Sequence, residues 1–380
     1  MKILIDLAKL SEAVAWVAGV LPAKPFVPVL SAVLIDADKE TQMVKLAAFD
    51  YETSATITVD AQVDQPGQAL ISGRLLADLV RTLPALPVTI SADKDTTHLV
   101  CGGNQFNMQM LPLDEYPALP KLPEAAGRVP GDLFAKMAGQ VGVAASRDEL
   151  VPAYMGIKLE STPRRLKLSA TDRYRAATGT IGWEPIGGEV SMLIPARVMR
   201  EVAKAAADTD TVEVCFDAKD KTGTSLAGFD LGSRQLTTRL LDGQLPEGLG
   251  RLFKVPATVK VRASSSELLA ATRRIKLVAE RNTPLRMVIG VGEVTLQAST
   301  GDLASGTATI EAVVDGDTMT VSFNPQYLED ALGAIPGRYT LLTFQGPGKP
   351  CLMQGIDQID ADPEGGGYQH MIMLMGEHLN

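Results

Sequence analysis

Histidine and cysteine are both scarce in this sequence. His98, His370 and His378 are the only histidines, and Cys101, Cys215 and Cys351 the only cysteines. None of them stand at metal-ligand spacing and there is no CxxC, so a zinc framework is excluded. Widely separated thiols read as free cysteines in a reducing cytosol. No apolar run reaches the roughly 18 residues of a membrane span. The N-terminal MKILIDLAKLSEAV is broken by Asp6, Lys9 and Glu12, unlike a signal peptide, and a cytoplasmic protein is expected. A phosphate loop is also missing. Gly346-Pro347-Gly348-Lys349 lacks the first glycine and the closing Ser or Thr, and reads as a hairpin turn; Gly290-Val291-Gly292 precedes a strand and reads as a turn. Carboxylates sharing acid–base work must lie within roughly 5 to 10 Å of each other. Asp50, Asp172 and Asp302 fall in separate segments, so each is expected to hold its own turn through an Asx-type hydrogen bond. No nucleophile with a positioned base is visible. A non-catalytic chain with no metal and no cofactor is expected.

Against these absences stand 380 residues, 46% of them hydrophobic and 21% charged, enough for two or three ordinary domains with packed cores. The stretch Leu166–Ala207 supplies the plan: an alternating strand, the turn Thr171-Asp172-Arg173-Tyr174-Arg175, a second strand, then Leu193-Ile194-Pro195 running into a helix. The plan occurs three times. Leu10 and Leu133 stand 123 positions apart, as do Leu70 and Leu193, while Asp50 and Asp172 differ by 122.

Apolar spacing places the first helix of each segment on Leu10, Val14, Val17 and Leu21, on Leu133, Met137, Val141 and Ala144, and on Leu268, Ala271, Ile275 and Val278. The last of these opens with Ser264-Ser265-Ser266-Glu267, a capping-box pattern. Second helices follow Gly73 (Leu75, Leu76, Leu79, Leu83), Pro195 and Asn324, and a final strand covers His370–Met375. Proline-rich linkers separate the segments. The pattern predicts three α+β units, each with two helices and a largely antiparallel sheet.

The net charge is −9 and the pI about 5.0, but the charge is not spread evenly. The six helices with their exits hold 14 Lys or Arg against 10 Asp or Glu, a balance of +4, which leaves −13 for the remainder. Arg197, Arg200 and Lys204 fall opposite Val198, Val202 and Ala206. Arg74 and Arg197 share one repeat position in a first helical turn, where the macrodipole disfavours a cation. Two readings are open for each: it faces an anionic partner, or it is an arginine in water.

The motifs Ser169-Ala170-Thr171-Asp172-Arg173-Tyr174-Arg175, Leu241-Asp242-Gly243-Gln244-Leu245-Pro246 and Phe323-Asn324-Pro325-Gln326-Tyr327, with the Met-rich end of the chain, resemble the bacterial β sliding clamps, processivity factors of the replicative DNA polymerase. The resemblance spans essentially the whole chain. It implies three repeated DNA-clamp domains, at 1–124, 125–252 and 253–380, with antiparallel sheets outside and helices lining a ring. Two chains would form a head-to-tail homodimer encircling duplex DNA without sequence preference, and Lys24, Arg74 and Arg197 would face that DNA. It also implies a pocket where the replicative polymerase, the clamp loader and other proteins insert a short apolar motif. Position by position, its wall would be Tyr154, Thr171, Arg173, Tyr174, Arg175 and Ala176. Pro246 and Arg251 would join from the linker, Asn324 and Tyr327 from the third segment, and Met371, Ile372, Met373, Leu374 and Met375 from the final strand. Methionines suit a surface that repacks around several ligands; by the residues alone, Met371 and Met373 read equally as ordinary strand residues.

The departures from the family pattern lie at this pocket. The usual ending Met-Pro-x-Arg-Leu is replaced by Met373-Leu374-Met375-Gly376 and the tail Glu377-His378-Leu379-Asn380. A linker that usually reads Phe-Pro-x-Tyr-Arg reads Leu245-Pro246-Glu247-Gly248-Leu249-Gly250-Arg251. A divergent clamp is therefore expected, such as an accessory, inhibitor-tolerant or phage-borne copy. The competing expectation is a DNA-binding or scaffold homologue that does not encircle DNA.

Overall fold

The computed structural model describes residues 1–375 except 23, 149, 218–224, 255, 280–282, 301–302, 347 and 364. Asp302, Pro347 and the tail 376–380 lie outside the described residues. Six α-helices are present among those described: α1 (Leu7–Ala18), α2 (Gly73–Thr82), α3 (Gly131–Gly142), α4 (Ala196–Ala206), α5 (Ser265–Lys276) and α6 (Pro325–Ala334). Their starts follow local chemistry. The Asp6 carboxylate accepts from the amides of Ala8 (2.8 Å) and Lys9 (3.3 Å) at α1, and Ser72 Oγ from Leu75 at α2. Ser264 Oγ accepts from the Glu267 amide at 3.4 Å, as the capping pattern predicts. At α6 the Asn324 side chain accepts from Gln326 and Tyr327, and Pro325 fills the first helical position, where no amide is needed.

The chain forms two compact bodies that cut across the three repeats. The first comprises residues 1–132, 185–188 and 204–240. It carries a five-stranded sheet in the order 62–65, 2–5, 88–93, 96–101, 104–109, and most of a nine-stranded sheet that includes the strand Arg234–Arg239 beside Thr53–Asp60. Leu10, Val14 and Val17 of α1 and Leu76 and Val80 of α2 are buried with Val33, Ile35, Leu46 and Ile57 of the strands. The second body comprises residues 133–184, 189–203 and 241–380. Its twelve-stranded sheet places Arg175–Gly182 beside Gln369–Ile372. Leu268, Ala271 and Ile275 of α5 and Leu328 and Leu332 of α6 are buried with Val261, Leu342, Phe344 and Met353.

The bodies ignore the repeats because strands of successive repeats hydrogen-bond to one another. Antiparallel seams run from Thr53↔Thr238 to Ile57↔Arg234 and from Arg175↔Ile372 to Thr178↔Gln369. Two buried faces depart from the expected ones. Leu75 and Leu133 are exposed, while Leu76, Ala77 and Val80, and Phe134, Met137, Ala138 and Val141, are the buried sets. In α3 Phe134, not Leu133, takes the position one turn before Met137 and Ala138. The last strand is also shorter than expected and ends at Ile372.

Candidate functional site

The second repeat's turn begins where the strand Arg165–Thr171 ends. Asp172 Oδ1 accepts from the amides of Tyr174 (3.0 Å) and Arg175 (2.9 Å), and its own amide donates to the Arg175 carbonyl at 3.2 Å. Thr171 Oγ1 donates to the same carbonyl at 2.7 Å and accepts from the Arg173 amide. This cage holds Arg173 at φ 82°, a left-handed conformation that costs a non-glycine residue stability. The expected Asx role of Asp172 is present, and so is that of Asp50, whose Oδ1 accepts from Glu52 and Thr53.

Arg175 is only 7% exposed. Its Nε donates to Asp172 Oδ2 at 2.9 Å, its Nη1 donates to Asp330 Oδ2 at 2.7 Å, and its guanidinium lies 4.4 Å from the Tyr327 ring centroid. A buried guanidinium persists when carboxylates take up its N–H groups, and the stacked ring adds to this. Burial, then the charge of Asp172, pushes the Tyr327 hydroxyl up from its ordinary value. On the surface side Arg173 stacks over Tyr154 (5.6 Å) and Tyr174 (5.8 Å).

The last described segment, Gln369 to Met375, runs alongside this turn. Ile372 pairs with Arg175 and Met371 with Ala176, the Met373 amide donates to the Tyr174 carbonyl at 2.8 Å, and the Met375 amide donates to Ser322 at 2.8 Å. Ala176 and Met371 bury against Leu352 and Phe253, with Leu249 packed on them. Tyr174 remains 56% exposed and Met373 43% exposed, side by side in sequence register.

The expected pocket residues therefore divide into two sets. Thr171, Arg175, Ala176, Met371 and Ile372 are buried and form a framework. Tyr154, Arg173, Tyr174, Tyr327, Met373, Leu374 and Met375 are exposed or half-buried and form a surface. Asn324 is spent on capping α6. Pro246 is exposed, and Arg251 lies in a cleft of about 550 Å3 with Phe253, Lys254, Lys167 and Thr178. Asp330, Leu249 and Phe253 were missed by the sequence reading. Asp330 was within reach, since it stands three residues beyond Tyr327 on α6 and so shares its face.

Of the cations expected to face DNA, Lys24 and Arg74 are exposed in the first body and Arg197 in the second. Arg74 is the second residue of α2 and donates to the Pro22 carbonyl at 3.1 Å; Arg197 is the second residue of α4. Two basic residues of α5 differ in kind. Lys276 and Arg273 ion-pair with Glu329 of α6 at 2.8 and 3.1 Å and hold its carboxyl below the usual range. Two of the helices' cations are thus held by a neighbouring helix.

The N-terminal, central and C-terminal domains of the DNA polymerase III beta subunit match this chain in order, over residues 1–120, 128–247 and 251–363. The chain belongs to the β sliding clamp family. The beta sliding clamp of Streptomyces coelicolor is 39% identical over 98% of both chains, and the beta sliding clamp homolog GriR of Streptomyces muensis is 36% identical over 96% of both. The fold matches the sliding clamp of Pseudomonas aeruginosa bound to griselimycin, with a TM-score of 0.87 at 20% identity over 99% of each chain. Sliding clamps are processivity factors and not enzymes. No described helix is long and apolar enough to cross a membrane.

Proposed function

We propose that two copies of this clamp close head to tail around duplex DNA in the cytoplasm and tether the replicative polymerase, the clamp loader and other motif-bearing proteins. The observation that carries the tethering is the exposed Tyr174–Met373 surface held on the buried Arg175 and its carboxylate partners Asp172 and Asp330. A rigid base under adaptable apolar side chains suits a short motif presented by many partners.

Two open sheet edges support the dimer. Among the described residues, Asn104–Gln109 ends its sheet. The first part of Ala304–Asp315 pairs on one side only, because Val259–Ser264 meets it only from Ala312 onward. Unpaired strand edges recruit other strands, and Leu277 and Leu303, 86% and 88% exposed, supply apolar surface. Lys24, Arg74 and Arg197 contact phosphates in this reading. A few such contacts favour weak, sequence-independent association, while topological linkage retains the ring. Each chain contributes three domains, at 1–124, 125–252 and 253–380.

The departures at Met373-Leu374-Met375 and in the linker Leu245–Arg251 support altered selectivity for partners and for griselimycin-type inhibitors. Equal affinity of this clamp and the Streptomyces coelicolor clamp for both kinds of ligand sinks that part. The central test loads the clamp on nicked circular DNA with a matching loader and ATP, or by closing the ring around DNA by hand, and then linearises the circle. Retention on circles with loss from linear DNA is expected. Equal retention on both forms shows direct binding by a clamp homologue that does not encircle DNA.

A further inference from the structure

The linker after Leu245 does more than connect two repeats. It winds from the Leu249 and Arg251 amides, which donate to the carbonyls of Pro246 (3.3 Å) and Gly248 (2.7 Å), and is pinned by Leu249 and Phe253 on Ala176, Met371 and Leu352. On either side of Phe253 lies a cleft, each of about 550 Å3, and the two share Phe253 and Lys254. Their floor is a single sheet face. Lys260 pairs with Thr343, Thr343 with Leu352, and Leu341 with Gln354, so these residues point away from the buried Val261, Leu342 and Met353.

The charge along this floor is one-sided. Lys167 and Arg251 line one cleft, Lys260 the other, and Lys254 both. The acids are Asp362, which lines the second cleft, and Glu160, which bridges Lys158 at 2.8 Å and lies 3.9 Å from Lys167. Arg251, Lys254 and Lys260 form no ion pair among the described residues. In a chain of net charge −9, a run of cations along the two clefts, with the linker residues Arg251 and Lys254 and the strand residue Lys260 unpaired, marks it for an anionic occupant.

We propose that this stripe receives an acidic extension of the partner segment whose apolar motif sits at Tyr174 and Met373. Continuity decides the occupant. Arg251 and Phe253 belong to the linker whose Leu249 and Phe253 bury the strand pair Ala176–Met371, and the exposed Met373 and Tyr174 follow directly on that pair. A chain leaving the motif toward the linker runs onto Lys254 and Lys260 within a few residues. The apolar motif anchors the partner, and flanking Asp or Glu residues add affinity and direction. The inference rests on the peptide-binding reading of the site, and it distinguishes partners that share a motif by what flanks it.

The test uses the full chain and three capped synthetic peptides. One carries two leucines and a phenylalanine, one the same core with four Asp or Glu residues added at either end, and one the core with four Ser residues added in the same way. Fluorescence anisotropy is recorded for the wild type and for the Lys254→Glu, Lys260→Glu double variant. Each exposed ion pair is worth a factor of roughly two, so the acidic peptide is expected to bind about ten-fold more tightly than the serine peptide to the wild type. That gain vanishes in the variant and in high salt, whereas the bare core binds both proteins equally, which also reports an intact fold. Equal binding of acidic and serine peptides overturns the inference and leaves the pocket reading standing. Failure of the bare core to bind removes both. Displacement of the acidic peptide from the wild type but not the variant site by an oligonucleotide, with no acidic-peptide gain at low salt, assigns the stripe to nucleic acid and overturns the proposal.

Discussion

The turns at Asp50 and Asp172 have the same backbone and different contents. Each Asp accepts two amides through Oδ1, each is followed by a residue with positive φ (Tyr51 at 74°, Arg173 at 82°), and each leads into the seam that joins its sheet to the next repeat. The Arg239 amide donates to the Glu52 carbonyl as the Met373 amide does to Tyr174. Register then aligns Thr53 with Arg175, Leu236 with His370 and Thr238 with Ile372. In the first seam Thr53 and Thr238 exchange a buried hydroxyl contact at 3.1 Å, and nothing charged is buried in the turn. In the second, the arginine in place of Thr53 draws in Asp330 from α6 and Tyr327 above it. The same scaffold is a closed joint in one repeat and a supported surface in the other. A few side chains make the difference.

The comparison is broken most severely at Arg175. Arg175→Ala strands the part-buried carboxylates of Asp172 and Asp330, and a loss of about 3 kcal/mol is expected in urea denaturation. Thr53→Ala, at the equivalent position, removes one neutral hydrogen bond and is expected to cost about 1–2 kcal/mol. Equal losses would mean that the charged framework carries no special weight.

His370 offers a subtler probe, since its counterpart is Leu236. Its ring is fully buried and hydrogen-bonded at Nδ1 to the Tyr368 hydroxyl at 2.7 Å. Burial first, and then the Arg175 charge, push its pKa down to about 3. The folded ring therefore stays neutral while the unfolded ring takes up a proton below about 6.5, so stability is lost as pH falls from that value toward 3. Between pH 6.5 and 5 this amounts to about 2 kcal/mol. His370→Leu, which copies the first seam, is expected to remove that slope; an unchanged acid profile contradicts the assignment.

The smallest effect is expected at the strained residues themselves. Tyr51→Gly and Arg173→Gly both relieve a left-handed conformation, offset by glycine's greater freedom when unfolded, so the net change is within about 1 kcal/mol. Arg173→Gly alone also loses its contacts with Tyr154 and Tyr174. Weaker binding of the apolar peptide to this variant, with Tyr51→Gly unaffected, sharpens the division between the two turns.

Much of this was legible in the sequence, for local reasons. The Asx turns at Asp50 and Asp172, the cap at Ser264, the six helices and the polar face Arg197, Arg200 and Lys204 each depend on residues within one or two turns of chain. What could not be read depends on partners far away. The exposure of Leu75 and Leu133 is set by which neighbour fills the core first, and the two seams pair strands about 190 residues apart, which leaves no local mark. The framework role of Asp330 is half-legible, because its helical face is visible in the sequence but its partner Arg175 is 155 residues away.

The two seams also set an order of events during synthesis. The first can close once Arg239 has left the ribosome. The second must wait for Gln369–Ile372, which is hydrogen-bonded on both flanks, to Arg175–Gly182 and to Cys351–Ile356. Until then Arg175–Gly182 is a bare strand edge on a nascent chain, the kind of surface that recruits the wrong strand. Loop closure over so long a span is slow. The most aggregation-prone stage of folding therefore lies between the synthesis of Gly182 and that of Ile372, and it ends when Gln369–Ile372 pairs into the sheet.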